Sequence, residues 1–123
     1  MWLVPALLAA AVLGSAILTP ADAYIAYLIL NGVAGPIVEE LYFRGWLLPR
    51  MHRFGRWAPL LNVAMFSLYH FWAPWQFLSR VAAVGPFAYA VWWRRNVSLG
   101  MLVHVMLNTI GGIVVIAAIA ARL

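Results

Sequence analysis

Pro36-Ile37-Val38-Glu39-Glu40-Leu41-Tyr42-Phe43-Arg44-Gly45 decides how the rest of this chain is read. It sets two carboxylates side by side in a segment that is apolar on both sides. The whole chain of 123 residues holds only three acids, and it is 67% hydrophobic. An acid at membrane depth costs at least a few kcal/mol, so one that is kept there marks a functional site by default.

The surroundings of that stretch set the class. Only 9% of residues are charged, against roughly a quarter in soluble domains, and mean hydropathy is +0.94. A soluble core of this size cannot hide so much apolar surface, so lipid must cover it. The length allows a single domain, residues 1–123, integral to a membrane. All the positive charge comes from arginine, because there is no lysine. The arginines sit in short loops and form no stripe, which argues against nucleic acid as a partner. Without cysteine there is no disulfide and no thiolate metal site.

Working outward, the pattern predicts an all-α, polytopic transmembrane bundle of about five spans, near residues 2–18, 21–48, 57–72, 76–93 and 98–121. Asn31-Gly32 and Gly35-Pro36 interrupt the second span. Pro36 has no N–H to donate, so it is expected to kink or restart that helix just before the glutamates. Thr19 reads as a helix cap ahead of Pro20. The loop after the second span carries Arg50, Arg53 and Arg56, and the loop after the fourth carries Arg94 and Arg95. The positive-inside rule makes both cytoplasmic and puts the N-terminus inside. Arg80 and Arg122 fall near the opposite face. His52, in the first basic loop, reads as a solvated or headgroup-facing residue.

Three spans bring rare polar residues to overlapping depths. At about 1.5 Å per residue, Glu39 and Glu40 lie roughly 15 Å from the basic loop, His70 roughly 20 Å from Arg56, and His104 about 14 Å from Arg95. Glu40 and Arg44 are four apart and can pair on one helix face. Glu39 points about 100° away. Arg44 can thus hold one acid charged while the other faces a substrate. Phe66 and His70, and His104 and Asn108, repeat the spacing of four.

A glutamate beside a histidine in a desolvated cavity can activate water as a general base. A histidine with an asparagine can donate hydrogen bonds to a developing oxyanion. The same donors suit a metal: Glu39, His70 and His104 are good ligands for a divalent ion such as zinc. No His-Glu-x-x-His pair occurs. Ser67 and Ser98 lack the setting of a nucleophile.

Taken in order, Glu39-Glu40-x-x-x-Arg44, Phe66-x-x-x-His70 and His104-x-x-x-Asn108 resemble the three motifs of the CPBP family. This family comprises CAAX proteases, among them the type II CAAX prenyl endopeptidases, and bacteriocin-processing enzymes. The resemblance covers about Pro36 to Gly112. It implies an intramembrane endopeptidase of metallo- or glutamate type, in which Glu39 and His70 activate water, His104 and Asn108 stabilise the oxyanion, and Glu40 and Arg44 support the site. Phe66 is expected to wall it. The substrate implied is a membrane-associated peptide or protein. The small, lysine-free chain looks bacterial, which places it in a cytoplasmic membrane. Family members usually have more helices before the first motif. That leaves room for a fragment, a minimal member, a homo-oligomer or a partner membrane chain. Two rival classes use the same residues. One is a non-catalytic scaffold or bacteriocin self-immunity protein. The other is a small transporter or proton relay, since Glu and His chains at membrane depth also mark such paths.

Overall fold

A computed structural model describes residues 20–121, and these are all helix and turn. The expected span 2–18, the Thr19 cap and Arg122 lie outside the described residues.

The first helix, α1, runs over Ala21–Arg50. Its bonding pattern changes along its length. Leu28–Ala34 and Leu41–Leu47 are wound in the wider π form, and α-type winding restarts between them at Gly35–Glu40. The Gly35 N–H reaches back five residues to Leu30, and the Leu48 N–H does the same to Phe43. The backbone stays right-handed helical at Ala34, Gly35, Glu40 and Leu41. The interruption expected at Gly35-Pro36 is therefore a change of winding, and the two glutamates sit in the single α turn between wide ones. Wide turns of this kind recur at functional sites.

The wide turns also supply acceptors. The Asn31 and Gly32 carbonyls accept from Asn108 Nδ2 at 3.1 Å and Thr109 Oγ1 at 3.2 Å. The Phe43 carbonyl accepts from Asn62 Nδ2 at 2.8 Å. Polar side chains of neighbouring helices thus fasten onto α1 where its own ladder is loosened.

A short 3₁₀ turn, His52–Trp57, leads out of α1. Gly55 there has φ 53° and ψ −131°, a conformation essentially confined to glycine. Helix α2, Ala58–Tyr69, begins with Pro59 in its first turn, where the missing N–H costs nothing. It ends earlier than the sequence suggested. His70 is already non-helical (φ −84°, ψ 48°), so the expected span to Trp72 stops at Tyr69. Twelve residues rise only about 18 Å, short of the ~30 Å hydrocarbon core. After a turn, α3 covers Phe77–Arg94 and closes at Arg95 in the left-handed region. Helix α4 covers Val97–Ala120, capped by Asn96, whose side chain accepts from the Leu99 N–H at 3.3 Å.

Helices α1 and α4 pack antiparallel. Gly32 lies against Thr109, Gly45 against Val97, Gly100 against Glu40 and Gly112 against Leu28. Small residues at these crossings let the backbones approach closely. On the other side of α1, Phe43 joins Val63 and Phe66 of α2 and Val84 and Ala88 of α3 in the main apolar core. Tyr89 Oη of α3 donates to the Arg56 carbonyl at 3.0 Å, which brings the two basic loops to the same end of the bundle.

Among the described residues, α1 and α4 are long and apolar enough to cross a membrane. Only 17% and 11% of their most apolar windows are buried inside the protein. The remainder faces outward with Ile25, Ile29, Leu102, Ile110 and Val114, an apolar surface too extensive for water to cover cheaply.

Candidate active site

Glu40 is fully buried at the α1–α4 contact. Its Oε1 accepts from Arg44 Nη1 at 2.8 Å and from His104 Nδ1 at 3.0 Å. Its Oε2 lies against Gly100, where an added Cβ would approach to 2.5 Å. The pairing with Arg44 follows directly from the spacing of four. The Arg44 guanidinium is held between two aromatic faces, 4.6 Å from the Phe66 centroid and 5.4 Å from that of Phe87. Cation–π attraction is strongest where water is excluded, and Arg44 is only 1% exposed.

Glu39 has a different setting. Its side chain is 15% exposed and lies between two imidazoles. Oε1 is 3.8 Å from His70 Nε2, and Oε2 is 3.8 Å from His104 Nε2. Both gaps are too long for direct hydrogen bonds. Each imidazole is oriented through its other nitrogen. His70 Nδ1 is 2.8 Å from the Phe66 carbonyl. A carbonyl can only accept, so Nδ1 carries the proton there. The early end of α2 makes this possible, because His70 sits just past the last turn and its ring folds back over it.

Phe66 joins the parts. Its ring contacts the His70 ring at 4.6 Å and the His104 ring at 5.7 Å, and it also carries Arg44. Glu39, Glu40, Arg44, Phe66, His70 and His104 thus form one cluster contributed by α1, α2 and α4. Asn108, a turn further along α4, stands apart. It is exposed, and its amide donates one hydrogen bond to the Asn31 carbonyl.

Three neighbours were not read as site residues from the sequence. Arg80 of α3 reaches the end of α2, with Nη2 donating to Gln76 Oε1 at 2.9 Å and Nη1 3.5 Å from the Ser67 carbonyl. Its position in the sequence suggested only a membrane face. Gly100 makes room for Glu40, and Asn62 ties α2 to α1. A lone glycine in an apolar run carries no signal of what it packs against.

Among the described residues, no three His, Asp or Glu side chains make a group suited to an ion. His104 Nδ1 and His70 Nδ1 are committed to Glu40 and to the Phe66 carbonyl. The two Nε2 atoms face different oxygens of Glu39. Glu39 is thus flanked by two imidazoles, each oriented through its Nδ1.

Neither the curated proteins nor the solved structures offer a match. The family model described as type II CAAX prenyl endopeptidase Rce1-like matches residues 21–110. That range runs from the start of α1 through every residue of the cluster and Asn108. The family is one of membrane-embedded proteases, and the chain belongs to it.

Proposed function

We propose that this chain is an intramembrane endopeptidase that hydrolyses a peptide bond with water activated by Glu39 and His70. The observation that carries the reading is the carboxylate of Glu39, partly exposed and flanked at 3.8 Å by two imidazole nitrogens. With its Nδ1 proton on the Phe66 carbonyl, neutral His70 turns a lone pair toward Glu39. Two acceptors facing each other are satisfied by a water that gives one O–H to each.

In the reaction, that water attacks the carbonyl carbon of the peptide bond while Glu39 takes its proton. The carbonyl oxygen becomes an oxyanion. His104 Nε2–H is the nearest donor for it. Since Nδ1–H is given to Glu40, this role needs the imidazolium form, with carboxylates on both sides as counter-charges. Asn108 supplies a second donor. Its amide carries two N–H groups; one holds the Asn31 carbonyl, and the other is free for substrate. Collapse of the intermediate breaks the C–N bond, and the proton held by Glu39 passes to the leaving nitrogen. Glu40 and Arg44 do not touch the substrate; they set the position of His104. No step runs through a metal.

The family description makes a prenylated, membrane-associated peptide the first substrate class to try. The basic loops would face the cytoplasm, with single cysteines at Gly55 and Asn96 labelled from the same side. The deciding experiment is a cleavage screen with purified protein, wild type against Glu39→Gln, with a chelator present in both arms. Products that form with wild type alone support the reading. Products that also form with the variant, or vanish for wild type when the chelator is added, refute it.

A further inference from the structure

A cavity of about 540 Å³ opens at the basic end of the bundle, away from Glu39. We propose that it binds the phosphate headgroup of an anionic phospholipid. Leu48 lines it from the end of α1, His52 from the 3₁₀ turn that follows, Val91 and Trp92 from α3, and Arg95 and Val97 from the turn into α4.

The charge at this end of the bundle favours an anion. The chain has three acids, Asp22, Glu39 and Glu40. Both glutamates belong to the cluster described above, and Asp22 lies at the far end of α1. This end of the bundle therefore contains cations with no acid of its own. Most of those cations are occupied by neighbours. Arg50 donates to the Trp46 carbonyl and stacks on the Trp46 ring, while Arg53, Arg56 and Arg94 lie over Phe54, Trp57 and Trp93. Arg95 and His52 differ: among the described residues their side chains make no hydrogen bond, ion pair or ring contact. Both line the cavity.

The backbone at Arg95 points the same way. Arg95 has φ 52° and ψ 37°, the sole positive φ outside glycine among the described residues. Helix ends of this type ordinarily use glycine or asparagine. Here the position holds a guanidinium beside the cavity instead, and a guanidinium fork matches phosphate oxygens bidentately.

The wall of the cavity completes the match. Leu48, Val91 and Val97 are apolar, and Trp92 and Trp93 border the opening. A tryptophan belt with arginines is the chemistry of the headgroup level. Anionic lipids bind in basic pockets between helices at that level. A phosphate at the mouth with glycerol and the first acyl carbons inside satisfies both kinds of surface. Arg44 lines the inner wall, so an occupant would rest against the residue that pairs with Glu40.

The test is lipid retention, which does not depend on any protease activity. The protein is placed in phosphatidylcholine nanodiscs with or without phosphatidylglycerol. Bound lipid is read by native mass spectrometry and stability by thermal unfolding. Wild type should keep phosphatidylglycerol selectively and melt higher with it. Arg95→Gly suits the positive φ and spares the fold, yet should weaken retention at least about tenfold, the loss expected for a charged hydrogen bond. His52→Gln should weaken it less. Arg94→Gln and Glu39→Gln should leave it unchanged. Equal losses from Arg94→Gln and Arg95→Gly would reduce the site to diffuse surface charge and overturn the proposal. So would equal retention of both lipids by wild type, the same thermal gain from inorganic phosphate, or displacement of the lipid by a substrate peptide with a free carboxylate.

Discussion

Glu39 and Glu40 are neighbours in the chain, but the two sides of α1 treat them in opposite ways. On the α4 side, Glu40 is sealed by Arg44, His104 and the bare backbone of Gly100. Glu39 faces between α2 and α4, where His70 and His104 stand at a distance that no direct hydrogen bond spans. One carboxylate has its charge answered inside the protein. The other has a gap that a water, and then a substrate, can fill. The difference comes from the rotation of about 100° per residue in a helix, which turns adjacent side chains toward different neighbours. A pair of acids can thus divide into a structural member and a chemical one without any difference in residue type.

The sharpest way to break this comparison is to exchange the two acids for amides. Glu39→Gln keeps the shape and removes the base, so kcat should fall about 10²–10⁴-fold with unfolding unchanged. Glu40→Gln should instead lower stability and leave a measurable rate. If steady-state kinetics on the purified variants gave the reverse order, the roles of the two acids would have to be exchanged.

Arg44→Ala tests the sealed side. It leaves Glu40 buried with His104 as its remaining partner, and breaking a buried pair in this way costs about 3–5 kcal/mol. Thermal unfolding should show that loss. A variant as stable as wild type would mean that Glu40 is not charged in the folded protein. Asn108→Ala separates two uses of one side chain. As an interhelical tie it is worth about 0.6 kcal/mol, whereas an oxyanion donor is worth about 10²–10³ in kcat. The proposal expects the kinetic loss with nearly normal unfolding. Loss of stability alone would leave Asn108 as a fastening between α4 and α1.

What the sequence revealed and what it hid divide along the same lines. Contacts within one helix follow from spacing, so Glu40–Arg44 at 2.8 Å was legible. Depth along separate helices was legible too, and it brought Glu39, His70 and His104 to one level. The wide turns of α1 were not. Their carbonyls take Asn108, Thr109 and Asn62, and spacing in two other segments cannot announce an acceptor on a third. Nor was the end of α2 at Tyr69 legible, since the apolar run continues through Phe71 and Trp72. Arg80 was misread because distance along the chain placed it at a membrane face, whereas packing of α3 on α2 brings it to the site.

Gly100→Ala asks how closely the sealed side is packed. A Cβ there would stand 2.5 Å from Glu40 Oε2 and 3.0 Å from Val91 Cγ2. Glu40 cannot simply swing away, because its other oxygen is held by Arg44 and His104. Relief must come from α4 moving off α1 or from the carboxylate giving up one of those bonds. Overpacking of this kind costs about 1–3 kcal/mol, less than removing Arg44. The two routes leave different marks. If α4 shifts, His104 shifts with it, and kcat falls together with stability. If the carboxylate turns, His104 loses its Nδ1 partner, and combining Gly100→Ala with Glu40→Gln should add little further loss of stability, since neighbouring sites that share one contact are not additive. Unfolding of the single and double variants, measured with the rate of the single one, distinguishes them. A Gly100→Ala protein as stable and as active as wild type would show that the contact between Glu40 and the α4 backbone is not close, and the contrast between the two acids would then rest on Arg44 and His104 alone.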